Sequence, residues 1–410
     1  FKQKTAYEIG VRLVGSEMCI RDSHTDGIRK PRMITRLLET RIEERLFRGR
    51  VITLFGARRV GKTTLVKSII EKHADKKTRY LNCDLLSVQD GLRTPEAEVL
   101  RSFLGDQELV VLDEAQNIPD IGQILKILVD TYPQMQIIAT GSSSFHLANA
   151  VGEPLTGRVY PFEMYPLSVQ EIVGDRGTSV FEPFLPNVLR YGLYPSIFGA
   201  TEEDAREQLD ELVSNYLFKD VLAFTGIRKA TVLVNLVRML ALQIGSEVSY
   251  QGIGNELQVD RKTVQSYIDL LEQNFVVFRL GAYSKNLRNE IKKSQKVYFY
   301  DLGVRNAIIQ AFQPLELRND VGGLWENFCI LERLKYTQYN RKKVNRYFWR
   351  TQAPSSKEID YIEEQDGSLT AYECKWNPGA GMKIPEDFLQ AYPDTKVERI
   401  DRKTYWRFLL

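Results

Sequence analysis

Histidine and cysteine are scarce. Three histidines and four cysteines (Cys19, Cys83, Cys329, Cys374) occur in 410 residues, and no two cysteines form a C-x-x-C pair. That argues against a zinc site or a disulfide framework and suits a reducing compartment, the cytoplasm. Charge of one sign is also lacking. Lys and Arg number 56 against 53 Asp and Glu, for a formal net charge of +3, so any contact with nucleic acid must be local rather than driven by a global field. Long hydrophobic runs are missing too. The best, residues 232–244, is broken by Asn235, Arg238 and Gln243, well short of the roughly 18 apolar residues of a membrane span. What the chain does have is 43% hydrophobic content, ample for separate cores in two or three domains.

Residues 2–9 (KQKTAYEI) and 13–23 (LVGSEMCIRDS) resemble in-frame translations of two DNA-sequencing adapters. Residues 1–32 are therefore set aside as non-native or disordered, with Met33 as the expected native start. Cys19 and His24 carry no functional weight on this reading.

The strongest local signal lies at residues 51–67. Val51-Ile52-Thr53-Leu54-Phe55 reads as a buried strand, and helical spacing begins at Lys62. Between them Gly56-Ala57-Arg58-Arg59-Val60-Gly61-Lys62-Thr63, followed by Thr64, matches G-x-x-x-x-G-K-T in its strand-to-helix setting. Main-chain N–H groups and the helix N-terminus make such a loop a cradle for phosphate. Lys62 would reach the β and γ phosphates, and Thr63 would offer its hydroxyl to Mg²⁺.

Alternating strands and helices over residues 33–200 predict an α/β domain with a doubly wound parallel sheet. Residues 109–112 are wholly apolar and end in Asp113-Glu114, which places two carboxylates at a strand's C-terminal edge. Asp113 would hold Mg²⁺ and Glu114 would polarise the attacking water. Residues 136–139 form another apolar strand, ending in Thr140-Gly141-Ser142-Ser143.

GARRVGKTTL, VVLDEAQNIP, ATGSSS, LTGR and YPLSVQE together resemble prokaryotic AAA+ ATPases that carry a C-terminal domain of unknown function. The resemblance covers nearly everything after Met33. It implies a sensor role for Thr140 or Ser142, an Arg158 that completes a nucleotide site in cis or in trans, and a Pro195 near the adenine. The Pro195 element reads Tyr191-Gly192-Leu193-Tyr194-Pro195 where a glycine pair is expected.

Residues 201–284 read as a helical lid followed by helix, tight turn, helix and strand, a winged-helix pattern. Arg261, Lys262, Thr263 and Gln265 open its second helix, where base-reading side chains would sit. A rigid connector is the competing role. The basic run at residues 285–296 reads as a solvated loop or a phosphate contact.

In the last part, residues 285–410, a strand at residues 297–300 and three more at 346–350, 358–362 and 369–376 are expected, with Asp366-Gly367 as a hairpin turn. A two-residue turn there sets Asp360 opposite Glu373 on one face, with Lys375 two residues on. A preceding helix carries Glu326. Asp, then Glu-x-Lys, after a helix bearing Glu resembles the PD-(D/E)XK nucleases. That resemblance implies Mg²⁺ at Asp360, Glu373 and Glu326, with Lys375 activating water. Glu-x-Lys is common, however, and recurs at Glu290 and Lys292; Glu358 would also lie opposite Lys375 and could pair with it. The expectation is thus an ATP- and Mg²⁺-dependent hydrolase acting through its C-terminal domain on DNA or a partner, with a non-cleaving regulatory scaffold as the alternative. DNA and a second copy of the chain are the candidate macromolecular partners.

Overall fold

A computed structural model describes residues 33–142, 155–214, 230–284, 295–351 and 357–410. The presumed non-native segment, Ser143, the Glu290/Lys292 pair and most of the basic run lie outside them.

Two sheets organise the described chain. The first holds β1 (Val51–Phe55), β2 (Thr78–Asn82), β3 (Leu109–Asp113), β4 (Gln136–Gly141) and β5 (Val159–Glu163) in the order β2-β3-β4-β1-β5. Every pairing is parallel. All residues of β1, β3 and β4 are buried, as unbroken apolar runs covered on both faces should be. α1 (Leu37–Glu43) precedes the sheet, and α2 (Lys62–Lys72), α3 (Ala97–Leu104) and α4 (Ile121–Thr131) make the crossovers. The edge strand β5 has no counterpart in the sequence reading, because Pro161 interrupts it; an edge is where a missing N–H is tolerated.

α5 (Val169–Arg176), α6 (Leu185–Tyr191), α7 (Glu202–Leu212) and α8 (Ala230–Leu242) lead to the second sheet. There β6 (Glu247–Val248) is followed by α9 (Tyr250–Leu257), α10 (Arg261–Gln273), β7 (Val277–Ala282) and β8 (Gln295–Phe299). The α9–α10 turn depends on Gly254, where a Cβ would stand 2.7 Å from the Val259 carbonyl oxygen. Asp260 then caps α10 by accepting the Thr263 N–H at 2.8 Å. Both β6 and β7 pair antiparallel with β8.

After α11 (Leu302–Ile308) and α12 (Val321–Tyr339) come β9 (Asn345–Arg350), β10 (Glu358–Gln365), β11 (Ser368–Cys374) and β12 (Lys396–Ile400). The order is β12-β11-β10-β9-β7-β8-β6, one seven-stranded sheet. This alters the expected division at residue 284, since β7 pairs with β8 on one side and, in parallel, with β9 on the other. Strand patterns reveal apolar faces but not distant partners, and a two- or three-strand wing is more stable inside a larger sheet.

The β10–β11 hairpin has the expected register. Tyr361 faces Tyr372, which sets Asp360 opposite Glu373, and positive φ at Asp366 (51°) and Gly367 (83°) gives the tight turn. α12 is buried nearly all round, the mark of a helix enclosed within a core.

Candidate functional site

The phosphate loop follows directly from β1. A Cβ on Gly56 would fall 2.2 Å from the Met164 carbonyl oxygen, and Gly61, at φ 101°, starts α2 in a left-handed conformation. Both positions need glycine. Lys62 Nζ is buried and donates to the carbonyls of Gly56 (2.8 Å) and Ala57 (2.9 Å). Burial pulls its pKa down to about 8, against the opposing pull of the Glu114 and Asp113 carboxylates.

Asp113, at the end of β3, accepts from Thr63 Oγ1 at 2.8 Å, from the Tyr80 hydroxyl at 2.5 Å and from Thr140 Oγ1. Thr140 in turn accepts the Glu114 N–H at 3.1 Å. Glu114 sits at φ 56°, strained backbone that turns its side chain out of the strand, and its carboxylate accepts from Gln116 Nε2 at 2.6 Å. Gln116 also donates to Ser142 Oγ at 3.2 Å. Oxygen donors of this kind, hydroxyl beside carboxylate at the head of a helix, fit a hard divalent cation.

A second cluster lies on the other sheet. The carboxylates of Glu326, Glu358 and Asp360 each offer an oxygen within 4.8 Å of the others. Glu373 bonds Lys375 Nζ at 2.6 Å, and Lys375 is 4.0 Å from Asp360. Asp360 also accepts the Cys374 N–H at 2.8 Å. Burial raises the pKa of both Asp360 and Glu373. Glu326 is pushed up to about 7 by burial, with Asp360 adding to the rise and Lys296 opposing it.

One expectation changes here. Glu358 pairs with Lys296 rather than Lys375, and Lys296 also donates to Glu326 at 2.9 Å. Far from ending a solvated loop, Lys296 is wholly buried in β8.

Among family models, an AAA domain matches residues 48–173, and two domains of unknown function, DUF8612 and DUF4143, match residues 183–315 and 321–406. An uncharacterized protein of Mycobacterium tuberculosis is 31% identical over 340 residues, covering 82% of this chain and 72% of its own. The chain belongs to this AAA+ ATPase family. An uncharacterized Haemophilus influenzae protein is 24% identical over 351 residues, covering 81% and 82%. The Walker-type ATPase PABY2304 of Pyrococcus abyssi aligns at TM-score 0.48 and 17% identity, covering 68% of this chain and 96% of that one.

Of the two residues implied for the ATPase site by resemblance, Arg158 stands elsewhere, while Tyr194, next to Pro195, lies within electrostatic reach of Arg59 in the phosphate loop. Arg158 immediately precedes β5, and its carbonyl accepts the Val51 N–H at 2.9 Å. In a parallel sheet that is the end opposite the phosphate loop, about 16 Å away at 3.3 Å per residue. There it pairs with Asp130 at 2.6 Å, so a role for Arg158 at its own chain's site is ruled out by strand direction. The Gly192–Pro195 element is tied to the second half of the chain. Leu193 donates to Asp301 at 2.8 Å and accepts the Leu167 N–H at 2.9 Å.

Groups that no motif marked also reach the phosphate loop and the end of β3 of this AAA+ ATPase. Tyr80, which reaches Asp113, is one. Arg36 is another: its buried guanidinium donates to the carbonyls of Val60 (2.7 Å) and Tyr165 (2.6 Å) and pairs with Glu171 at 2.9 Å. It braces the phosphate loop from behind. Glu171 completes a capping box with Ser168, a pattern readable as S-x-x-E, but nothing local to Arg36 points to its partners. Arg59, at φ 63°, pairs with Glu211 on α7; Arg58 lies in the loop and Thr64 in the first turn of α2. Among the described residues no helix is long and apolar enough to cross a membrane.

Proposed function

We propose that the protein binds and hydrolyses ATP with Mg²⁺ and that its second half reads out the nucleotide state. The observation that carries this reading is the convergence of Lys62, Thr63, Asp113 and Thr140 at one end of the first sheet. Main-chain N–H groups of residues 56–64 would hold the phosphates, and Thr63 and Asp113 would hold the ion, which supplies charge neutralisation across the β and γ oxygens when bound. Glu114 would orient the attacking water, and Thr140 fixes both acidic residues in place.

Readout is supported by α12. Glu332 and Lys335, both buried, grip the segment that backs the phosphate loop: Glu332 accepts the Val169 N–H at 2.7 Å and Lys335 donates to the Leu167 carbonyl at 2.9 Å. The Tyr339 hydroxyl accepts the Tyr165 N–H at 3.2 Å. The same helix carries Glu326, about 20 Å from Tyr339 along its axis. On this reading the β6–β8 segment with α9 and α10 would act as a winged helix, and the exposed Arg261, Lys262 and Gln265 at the start of α10 would suit a DNA backbone or an acidic partner.

The lowered Lys62 pKa gives a direct test. Phosphate favours the charged ammonium, so ATP affinity should be flat below pH 8 and fall by up to about tenfold per pH unit above it, as binding takes up a proton. Calorimetric ATP titrations between pH 7 and pH 10, in buffers of different ionisation enthalpy, check this. Constant affinity with no proton uptake would contradict the role given to Lys62.

A second reading, metal-dependent cleavage of DNA, is favoured by the meeting of Asp360, Glu373, Lys375 and Glu326. It expects Mg²⁺-dependent cutting of duplex DNA that is lost in Asp360→Ala while ATPase activity persists. Cutting that survives the substitution would remove this site from consideration.

A further inference from the structure

We propose that the Lys296 ammonium occupies the place of a divalent cation among Glu326, Glu358 and Asp360, so that the C-terminal carboxylate cluster is neutralised from within and takes metal only when that lysine is withdrawn. The inference deepens the non-cleaving form of the function above and rests on the cluster being of the metal-binding type.

Three observations carry it. The carboxylate oxygens of Glu326, Glu358 and Asp360 converge within 4.8 Å of one another, a separation a divalent ion with oxygen bonds of about 2.0–2.6 Å would span. Lys296 Nζ already sits in that gap, bonded to Glu326 at 2.9 Å and to Glu358. It is also sealed there: Lys296 is 0% exposed, and the Phe348 ring centroid lies 5.4 Å from Nζ.

The neighbouring groups strengthen the case. Tyr298 donates to the same Glu326 oxygen at 2.5 Å, which uses a lone pair an ion would need. Lys375 serves the other side of the cluster, on Glu373 and Asp360. Each lysine thus bridges two carboxylates, and four acidic groups that would repel one another at this largely buried site are held together without an ion. Adding a divalent ion beside Lys296 would bring a third cation into a gap that is already filled.

The test uses the full chain in an Asp113→Asn background, which removes the carboxylate at the end of β3 beside the phosphate loop, with MnCl₂ alone as the probe and free Mn²⁺ followed by electron paramagnetic resonance. With Lys296 in place, Mn²⁺ binding should be weak and unchanged by Glu326→Gln. Lys296→Met should bind Mn²⁺ more tightly by at least ~10-fold, and Lys296→Met/Glu326→Gln should lose that gain. Lys296→Met should also melt at a higher temperature with MnCl₂ than without it. Binding with Lys296 present that disappears in Glu326→Gln would overturn the proposal and leave the metal-type reading standing. A folded Lys296→Met with no gain would overturn both. Should Lys296→Met not fold, the Glu326→Gln comparison in the lysine-containing protein decides alone.

Discussion

Lys62→Ala should reduce ATP turnover by about 10²–10³-fold or more, the scale of losing a preorganised charge at a developing anionic centre. The argument is geometric. Lys62 Nζ is held at 2.8 Å and 2.9 Å from two carbonyls of its own loop, so it stands ready over the cradle instead of sampling solvent. Because burial pulls its pKa down, the charge is held in the free protein at some cost in stability, and a phosphate would relieve that cost. Alanine should therefore remove binding and turnover without lowering the melting temperature. Steady-state ATPase assays with thermal unfolding as the control check this, and a variant that keeps wild-type turnover would dismiss the loop as a nucleotide site.

Lys335→Met should destabilise the protein by about 3–5 kcal/mol, the cost of leaving a buried charge unpaired. Lys335 bonds Glu332 at 2.6 Å with both side chains about 1% exposed, and its loss strands Glu332 in an apolar interior. Glu332, raised in pKa by burial even with its partner present, would shift further up. The sign follows: a carboxyl with a folded pKa above its unfolded value contributes most at low pH and loses that contribution as pH rises through the folded pKa. The deficit of the variant should thus shrink on acidification towards pH 5, and Glu332→Gln/Lys335→Met should recover much of it. Urea unfolding at pH 5 and pH 8 measures both effects. A deficit below about 1 kcal/mol at pH 8 would mean that the pair is not the buried junction described.

That junction matters for function because of where it sits. One face of the Met164–Val169 segment touches the phosphate loop, through the Met164 N–H to the Phe55 carbonyl at 2.7 Å and through Arg36. Its other face is gripped by α12. On the proposed function, a shift of the loop on nucleotide exchange would pass through this segment to α12 and along it to Glu326, with the buried ion pair holding the contact.

Local pattern alone specified the strand-loop-helix at residues 51–67, the acidic end of β3 and the Asp366-Gly367 turn. In each case the signal and its structural cause lie within a few residues: an apolar run, a glycine that must adopt positive φ, a two-residue turn that fixes register. Asp360 opposite Glu373 was readable for the same reason. The tertiary structure alone decided which distant groups meet. Arg36 behind the loop, Tyr80 on Asp113 and Lys296 between Glu326 and Glu358 owe their positions to chain segments 24 to 135 residues apart. It also decided that Arg158 lies at the far end of its strand and that the two parts of the second half share one sheet. Charged residues in sequence look like solvated surface. Only packing reveals which of them lose their water and must find a partner.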